Sequence, residues 1–253
     1  MARLARRGRS RAFFLSDRVT IGKPGHRLLP TSSEMSASID QNDPSVRSKR
    51  GWRRLILAAI SALEPGGRRA QERFLIAAFP ELPGFAAAKT VLLYVSAFPE
   101  ELETREILAC AFDAGKRVLC PRVDRVGRQL RLHVLSHPET ELKPGVLGIP
   151  EPRADLPEVP PESVDWVLVP GVGFDERGYR LGRGAGHYDR LLARLRPDAV
   201  CWALCLSCQL VPQLTVEPHD MPLDGITAPD RVIRGPRHGL DQSARTERAG
   251  GRA

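Results

Sequence analysis

The residues best equipped for chemistry stand in one stretch, VPGVGFDERGYRLGRGAGHYDRL, at residues 169–191. Six of its positions are glycine (Gly171, Gly173, Gly178, Gly182, Gly184 and Gly186). Arg180 and Arg183 bracket the turn, and Asp189 follows it. Glycine accepts positive φ and lets a ligand approach the main chain closely. Three glycines at alternate positions ahead of a helix can turn successive N–H groups towards an anion, and the helix N-terminus adds favourable partial charge. Flanking guanidinium groups suit phosphate oxygens held two at a time. A carboxylate in the first helical turn is within reach of a metal carried by those phosphates, the usual way of holding Mg²⁺. The general phosphate and dinucleotide patterns G-x-x-x-x-G-K-[ST] and G-x-G-x-x-G are both absent. A glycine-rich surface turn with solubilising arginines is the competing interpretation.

Such a loop needs a strand before it and a helix after it, and the pattern supplies both. Residues 165–169 (Asp-Trp-Val-Leu-Val) read as a buried strand ending at Pro170, and residues 188–195 have helical spacing. Further strands are expected at 90–96, at 117–120 before Pro121, at 130–135 and at 199–206, with a helix at 104–114 ending at Gly115. Upstream, residues 49–63 form an amphipathic helix in which Trp52, Leu55, Ile56, Ala59, Ile60 and Leu63 recur at three and four. Pro65, Gly66 and Gly67 are expected to end it, and a second helix at 70–79 stops at Pro80. Lys49, Arg50, Arg53 and Arg54 crowd the start of the first helix, where cations oppose the macrodipole. Either that face is solvated or an anion sits against it. Alternating strands and helices with short apolar strands predict an α/β fold with a largely parallel sheet. Ligands in such folds sit beyond the carboxyl ends of the strands.

Composition narrows the class. The chain has 253 residues, 42% hydrophobic and 27% charged, with a mean hydropathy of -0.25. No run approaches the roughly 20 apolar residues that cross a bilayer, so no membrane partner is expected. The formal net charge of +8 sits in the tails. Residues 1–33 carry eight Lys and Arg against Asp17, and residues 235–253 carry four Arg against Asp241 and Glu247. The body between them is close to neutral, so no nucleic-acid partner is expected for it. The expected organisation is a disordered basic tail at 1–45, an α/β domain at 46–234 and a disordered tail at 235–253. The N-terminal tail leaves other readings open: a start downstream at Met35, an organelle transit peptide, or an arm for nucleic acid.

Cys110, Cys120, Cys201, Cys205 and Cys208 are odd in number, which favours reduced thiols and a cytoplasmic setting. The last three resemble a metal cluster, but no fourth ligand stands at the usual spacing, so buried structural thiols are the expectation. Trp166 is read as core, and His133 and His137 as residues without a role. His219, beside Asp220, is at most a metal neighbour.

The glycine-rich stretch resembles the signature of the 5-formyltetrahydrofolate cyclo-ligase (5,10-methenyltetrahydrofolate synthetase) family, P-G-x-x-F-D-x-x-G-x-R-L-G-x-G-x-G-[YF]-Y-D. Pro170, Gly171, Phe174, Asp175, Gly178, Arg180, Leu181, Gly182, Gly184, Gly186, Tyr188 and Asp189 match it. His187 replaces the usual Tyr or Phe, and Ala185 stands where some members have Lys. The resemblance extends over about residues 47–230. It takes in Lys49 and Arg53 as K-x-x-x-R, Glu101 to Thr104 as E-[IVL]-[DE]-T, and Gly148, Ile149, Glu151 and Pro152 as G-I-x-E-P. It also takes in Gln209 and the acidic segment from Asp220 to Asp224.

What the resemblance implies is specific. The fold is a three-layer α/β sandwich of the NagB/RpiA/CoA-transferase-like kind. The activity is ATP-dependent cyclisation of 5-formyltetrahydrofolate to 5,10-methenyltetrahydrofolate through an iminium phosphate; a homologue that binds folate or nucleotide without turnover is the alternative. ATP is held by Lys49, Arg53, Arg180, Leu181, Gly182, Arg183, Gly184, Ala185, Gly186, His187 and Tyr188. Arg180, Arg183 and Lys49 act on the transferring phosphoryl group. Val95, Glu101, Arg183, Gly184, Ala185, Gly186 and His187 meet the folate, with Tyr188, His187 and Phe98 packing on the pterin. Mg²⁺ lies near Asp189 and Asp220, and the protein is expected to be a monomer.

Overall fold

A computed structural model describes residues 48–98 and 101–239. The N-terminal tail, with its alternative readings, and the residues from 240 onwards lie outside the described residues.

The chain opens on helix α1 (Lys49–Ser61), whose first turn is capped by Ser48 Oγ accepting from Gly51 N at 3.0 Å. Trp52, Ile56 and Ile60 bury the face that the spacing predicts. The next helix, α2 (Pro65–Ala78), begins five residues earlier than expected. Pro65 lacks only an N–H that a first turn leaves unpaired, so it starts this helix as well as ending the last. Strand β1 (Thr90–Leu92) and helix α3 (Arg105–Asp113) follow.

Strand β2 (Arg117–Asp124) runs straight through Pro121, where a stop was expected. Its parallel pairing with β1 ends at Leu119, and beyond that it pairs only with β3 (Gln129–Val134), so proline disturbs one ladder rather than two. Helix α4 (Pro138–Glu141) leads into a small hairpin, β4 (Leu142–Pro144) and β5 (Pro150–Pro152). Then come β6 (Glu158–Val159) and β7 (Trp166–Leu168).

The glycine-rich segment contains a hairpin that periodicity did not reveal, β8 (Gly173–Asp175) and β9 (Arg180–Leu181), before helix α5 (His187–Leu192). Strands β10 (Val200–Leu204), β11 (Leu210–Val211), β12 (Gly225–Thr227) and β13 (Val232–Arg234) complete the fold.

The main sheet has the order β13-β12-β10-β7-β1-β2-β3-β6. Its five central strands are parallel, and β13, β3 and β6 add antiparallel edges. Side chains alternate across it. Val91, Leu93, Trp166, Leu168, Trp202 and Leu204 face one core with Ile56, Leu75 and Ile107 of α1, α2 and α3. Leu92, Val167, Cys201, Ala203 and Cys205 face the other, with Leu191 and Leu192 of α5. This is the expected three-layer α/β arrangement. Trp166 is fully buried core, its indole N–H donating to Pro83 O.

Four cysteines are buried and all five are free. Burial pushes the Cys208 thiol up to about 11, and Cys120 and Cys205 shift the same way. Cys208 faces the opposite core from Cys201 and Cys205, so the three do not form one cluster. The fold continues past residue 234: Pro236–Gly239 forms a turn, and Arg237, 2% exposed, brings its Nε within 3.5 Å of Asp224 Oδ2.

Candidate active site

A cavity of about 440 Å³ collects nearly every residue singled out from the sequence. Lys49 and Arg53 of α1, Val95, Phe98 and Glu101 after β1, residues 180–189, and Asp220 all line it. The backbone explains why these types are required. Gly186 caps α5 in the left-handed region at φ 65°. Gly182 lies so close to the Arg180 guanidinium that a Cβ there would stand 2.7 Å from Nη1. The loop is braced from behind by motif residues that do not face the cavity. Asp175, fully buried, accepts from Arg177 N, Tyr179 N and Leu214 N and so shapes the β8–β9 turn. Gln209 donates to Gly171 O and Val172 O at 3.2 and 3.1 Å while its Oε1 accepts from Leu206 N.

The cations are arranged with care for charge. Arg180 is 8% exposed, with Nη2 3.0 Å from Asp189 Oδ1. Its Nε has no hydrogen-bond partner among the described residues, nor does the buried Tyr188 hydroxyl. Buried donors left without a partner are costly to the fold. Arg183 Cζ stands over the Phe98 ring, 3.4 Å from its centroid, and its Nε is 3.7 Å from Glu101 Oε1.

At the start of α1, Lys49 Nζ reaches Asp220 Oδ2 at 2.7 Å and Glu217 Oε2 at 2.8 Å. Burial pulls the Lys49 pKa down, but the hydrogen bonds and charges of Asp220 and Glu217 outweigh it, so the ammonium is held above its ordinary value. Arg53 Nε donates to Gly182 O at 2.7 Å. Arg50 and Arg54 are exposed. Arg50 and Arg54 thus fit the solvated reading, whereas Lys49 is paired with the Asp220 and Glu217 carboxylates and Arg53 with the Gly182 carbonyl.

Departures from the expected roles are informative. Asp189 and Asp220 each line the cavity but each is paired with a cation. Glu217 and His219, which drew little or no attention in the sequence, stand beside Asp220 with ligand atoms all within 4.8 Å of one another. The run Glu217-Pro218-His219-Asp220 was the available signal. Glu101 has its carboxylate engaged: Oε2 accepts from Ala97 N at 2.9 Å and Phe98 N at 3.3 Å.

His187 faces the cavity with Nδ1 3.5 Å from Arg190 Nη2. Burial, then the charges of Arg190 and Arg128, lower its pKa and favour the neutral ring. Arg190 also donates to Ala185 O and to Arg128 O, both at 2.9 Å, tying the loop to the β2–β3 turn. His133 is buried with Nδ1 2.9 Å from Leu156 O and lines a neighbouring polar groove that shares Val123 and Glu151 with the cavity. The remaining cavity wall is apolar: Tyr94, Val95, Pro121, Val123, Leu130, Ile149 and Pro150, with Glu151 among them.

Comparison with known proteins points one way. The model of the 5-formyltetrahydrofolate cyclo-ligase family matches residues 45–229. The 5-formyltetrahydrofolate cyclo-ligase of Escherichia coli K12 is 38% identical over 154 residues, covering 59% of this chain and 83% of that protein. A mitochondrial cyclo-ligase of Arabidopsis thaliana is 27% identical over 235 residues, 83% of this chain and 84% of its own. The NMR structure of Aquifex aeolicus 5,10-methenyltetrahydrofolate synthetase superposes with a TM-score of 0.64 at 32% identity, covering 74% of this chain and 92% of that one.

Proposed function

This chain belongs to the 5-formyltetrahydrofolate cyclo-ligase family, and we propose from that premise how its own residues divide the work. The reaction is the ATP-dependent closure of 5-formyltetrahydrofolate to 5,10-methenyltetrahydrofolate, with release of ADP and phosphate. One observation carries the division of labour. A single cavity joins the cationic side chains and the glycine-rich loop to an apolar wall.

A formamide oxygen is a poor leaving group. In our reading it attacks the γ-phosphorus, the bond to the β-phosphate oxygen breaks, and an iminium phosphate forms. N10 of the same folate then attacks the activated carbon and loses its proton, and the carbon–oxygen bond breaks to release phosphate. No covalent protein nucleophile is needed, only alignment and charge stabilisation. Arg180, Arg183 and Lys49 neutralise the transferring group. The amides from Gly182 to Gly186, with Arg53, Leu181, His187 and Tyr188, hold the nucleotide. Val95, Phe98, Arg183 and His187 meet the folate, and Glu101 acts there by fixing the Phe98 turn and the Arg183 guanidinium.

Mg²⁺ fits this donor set. Asp189 and Asp220 are hard carboxylates on the cavity wall, and phosphate oxygens complete such a site. When bound, the ion neutralises and orients phosphate oxygens. A cytoplasmic setting is supported by five free cysteines.

The test is direct. Purified protein with ATP, Mg²⁺ and 5-formyltetrahydrofolate should develop the absorbance of the methenyl product with one phosphate released per ring closed. Binding of both ligands without product would instead make this chain a non-catalytic homologue.

A further inference from the structure

Arg190, in the middle of α5, stays off the cavity wall, yet its guanidinium grips two stretches of main chain. Nη2 donates to Ala185 O at 2.9 Å, and Nε donates to Arg128 O in the β2–β3 turn, also at 2.9 Å. The first of these bonds fixes more than a carbonyl. The 185–186 peptide bond is trans, so its C=O and N–H point in opposite directions. With the oxygen drawn to Arg190, the Gly186 N–H is turned the other way. Ala185 and Gly186 both line the cavity.

This orientation needs a lock, because the glycine beside it makes the alternative easy. Gly186 stands at φ 65°, a region where side chains are disfavoured. Flipping the 185–186 peptide would carry that φ into the negative range that any residue accepts. The Ala185 oxygen would then face where the N–H now does. A carbonyl there repels phosphate oxygens, whereas an amide attracts them. At the other end of the loop another guanidinium holds a carbonyl, Arg53 Nε donating to Gly182 O at 2.7 Å.

We propose that Arg190 is a positioning residue for the nucleotide: by binding the Ala185 carbonyl it holds the 185–186 peptide with the Gly186 N–H towards the phosphates. This rests on the reading that the glycine-rich loop takes ATP. Arg190 touches neither substrate and acts through that peptide alone. The same helix supplies a control. Arg194 Nη1 donates to Gln129 Oε1 at 2.8 Å, so it too ties α5 to β3, but its partner lies on the strand and not in the loop.

Calorimetry of the wild-type protein with a non-hydrolysable ATP analogue, and separately with 5-formyltetrahydrofolate, comes first. Wild type that binds the folate but no nucleotide overturns the loop reading and the proposal with it. Where the nucleotide binds, the Gly186 amide resonance in ¹H–¹⁵N spectra should move downfield on adding the analogue. An amide that does not move overturns the proposal alone, even if every variant fails to fold. Arg190→Ala should weaken the analogue about tenfold, the loss of one hydrogen bond to a charged group, and leave folate affinity within about twofold. Arg190→Lys, which keeps a donor, should lose less. Arg194→Ala should leave both affinities within about twofold, as an exposed substitution does. Equal losses for both ligands in Arg190→Ala, or a nucleotide loss as large in Arg194→Ala, would show that Arg190 only fastens the helix and would remove its positioning role.

Discussion

The two walls of the cavity are built on different plans. The cationic wall is mostly one short stretch of chain: Arg180, Arg183, Asp189 and the glycines between them come from ten consecutive residues, with Lys49 and Arg53 added from α1. The apolar wall is gathered from four places, after β1, along β2, at the start of β3 and in the β4–β5 hairpin. Phosphate recognition needs many donors at fixed short spacing, which a glycine turn provides by itself. Ring recognition needs opposed flat surfaces, which no single turn can offer. The contrast predicts that damage to the cationic wall falls on nucleotide handling and the chemical step. Damage to the apolar wall falls on the choice of folate.

Arg180→Ala should break this comparison most severely if it is wrong. Removing one preorganised donor to a developing charge costs about 10²-fold, and here Asp189 is also left without its cation. Steady-state kinetics should show a loss of about 10²-fold or more in kcat/KM, mainly in kcat. A rate near wild type, or a loss confined to the folate KM, would remove Arg180 from phosphoryl transfer.

Gly186→Ala should have an intermediate effect. Its φ of 65° costs a residue with a side chain roughly 1–2 kcal/mol. The new Cβ would also stand 3.0 Å from Arg190 Nη1, pushing that guanidinium from Ala185 O. Calorimetry should show ATP-analogue affinity falling about tenfold with folate affinity changed less. Equal losses for both ligands would show that the two walls are not separable at this point.

The smallest effect is expected at His187, where the walls meet. Its folded pKa lies below the ordinary imidazole value of 6.5, so the unfolded chain binds the proton first as pH falls. The contribution of the neutral ring is therefore complete above about 6.5 and is lost as pH falls through the folded value. Protonation would also set a third cation against Arg190 and Arg128. In wild type, kcat/KM should decline modestly below that pH, and His187→Phe should flatten the decline by about twofold. An unchanged profile would leave the ring with packing alone.

Much of the fold was legible in the residues, and the failures share a cause. The spacing of Trp52, Ile56 and Ile60 identifies α1, and the apolar runs around Val91, Val167 and Cys201 identify the sheet, because burial imposes a period on a chain. Pro121 misleads, since whether a proline ends a strand depends on which neighbours still need its N–H. The β8–β9 hairpin hides inside the motif because its turn is made by the Asp175 carboxylate rather than by any periodic pattern.

At the level of function, the sequence alone determined the family resemblance and the phosphate-binding character of residues 180–189, since anion chemistry is written in residue types a few positions apart. Only the tertiary structure decided which carboxylates are occupied. Asp220 is held by Lys49 from 171 residues away, and Glu101 is filled by its own loop amides. An acidic residue looks the same in every sequence; its capacity to bind depends on how many of its hydrogen bonds the folded chain has already used.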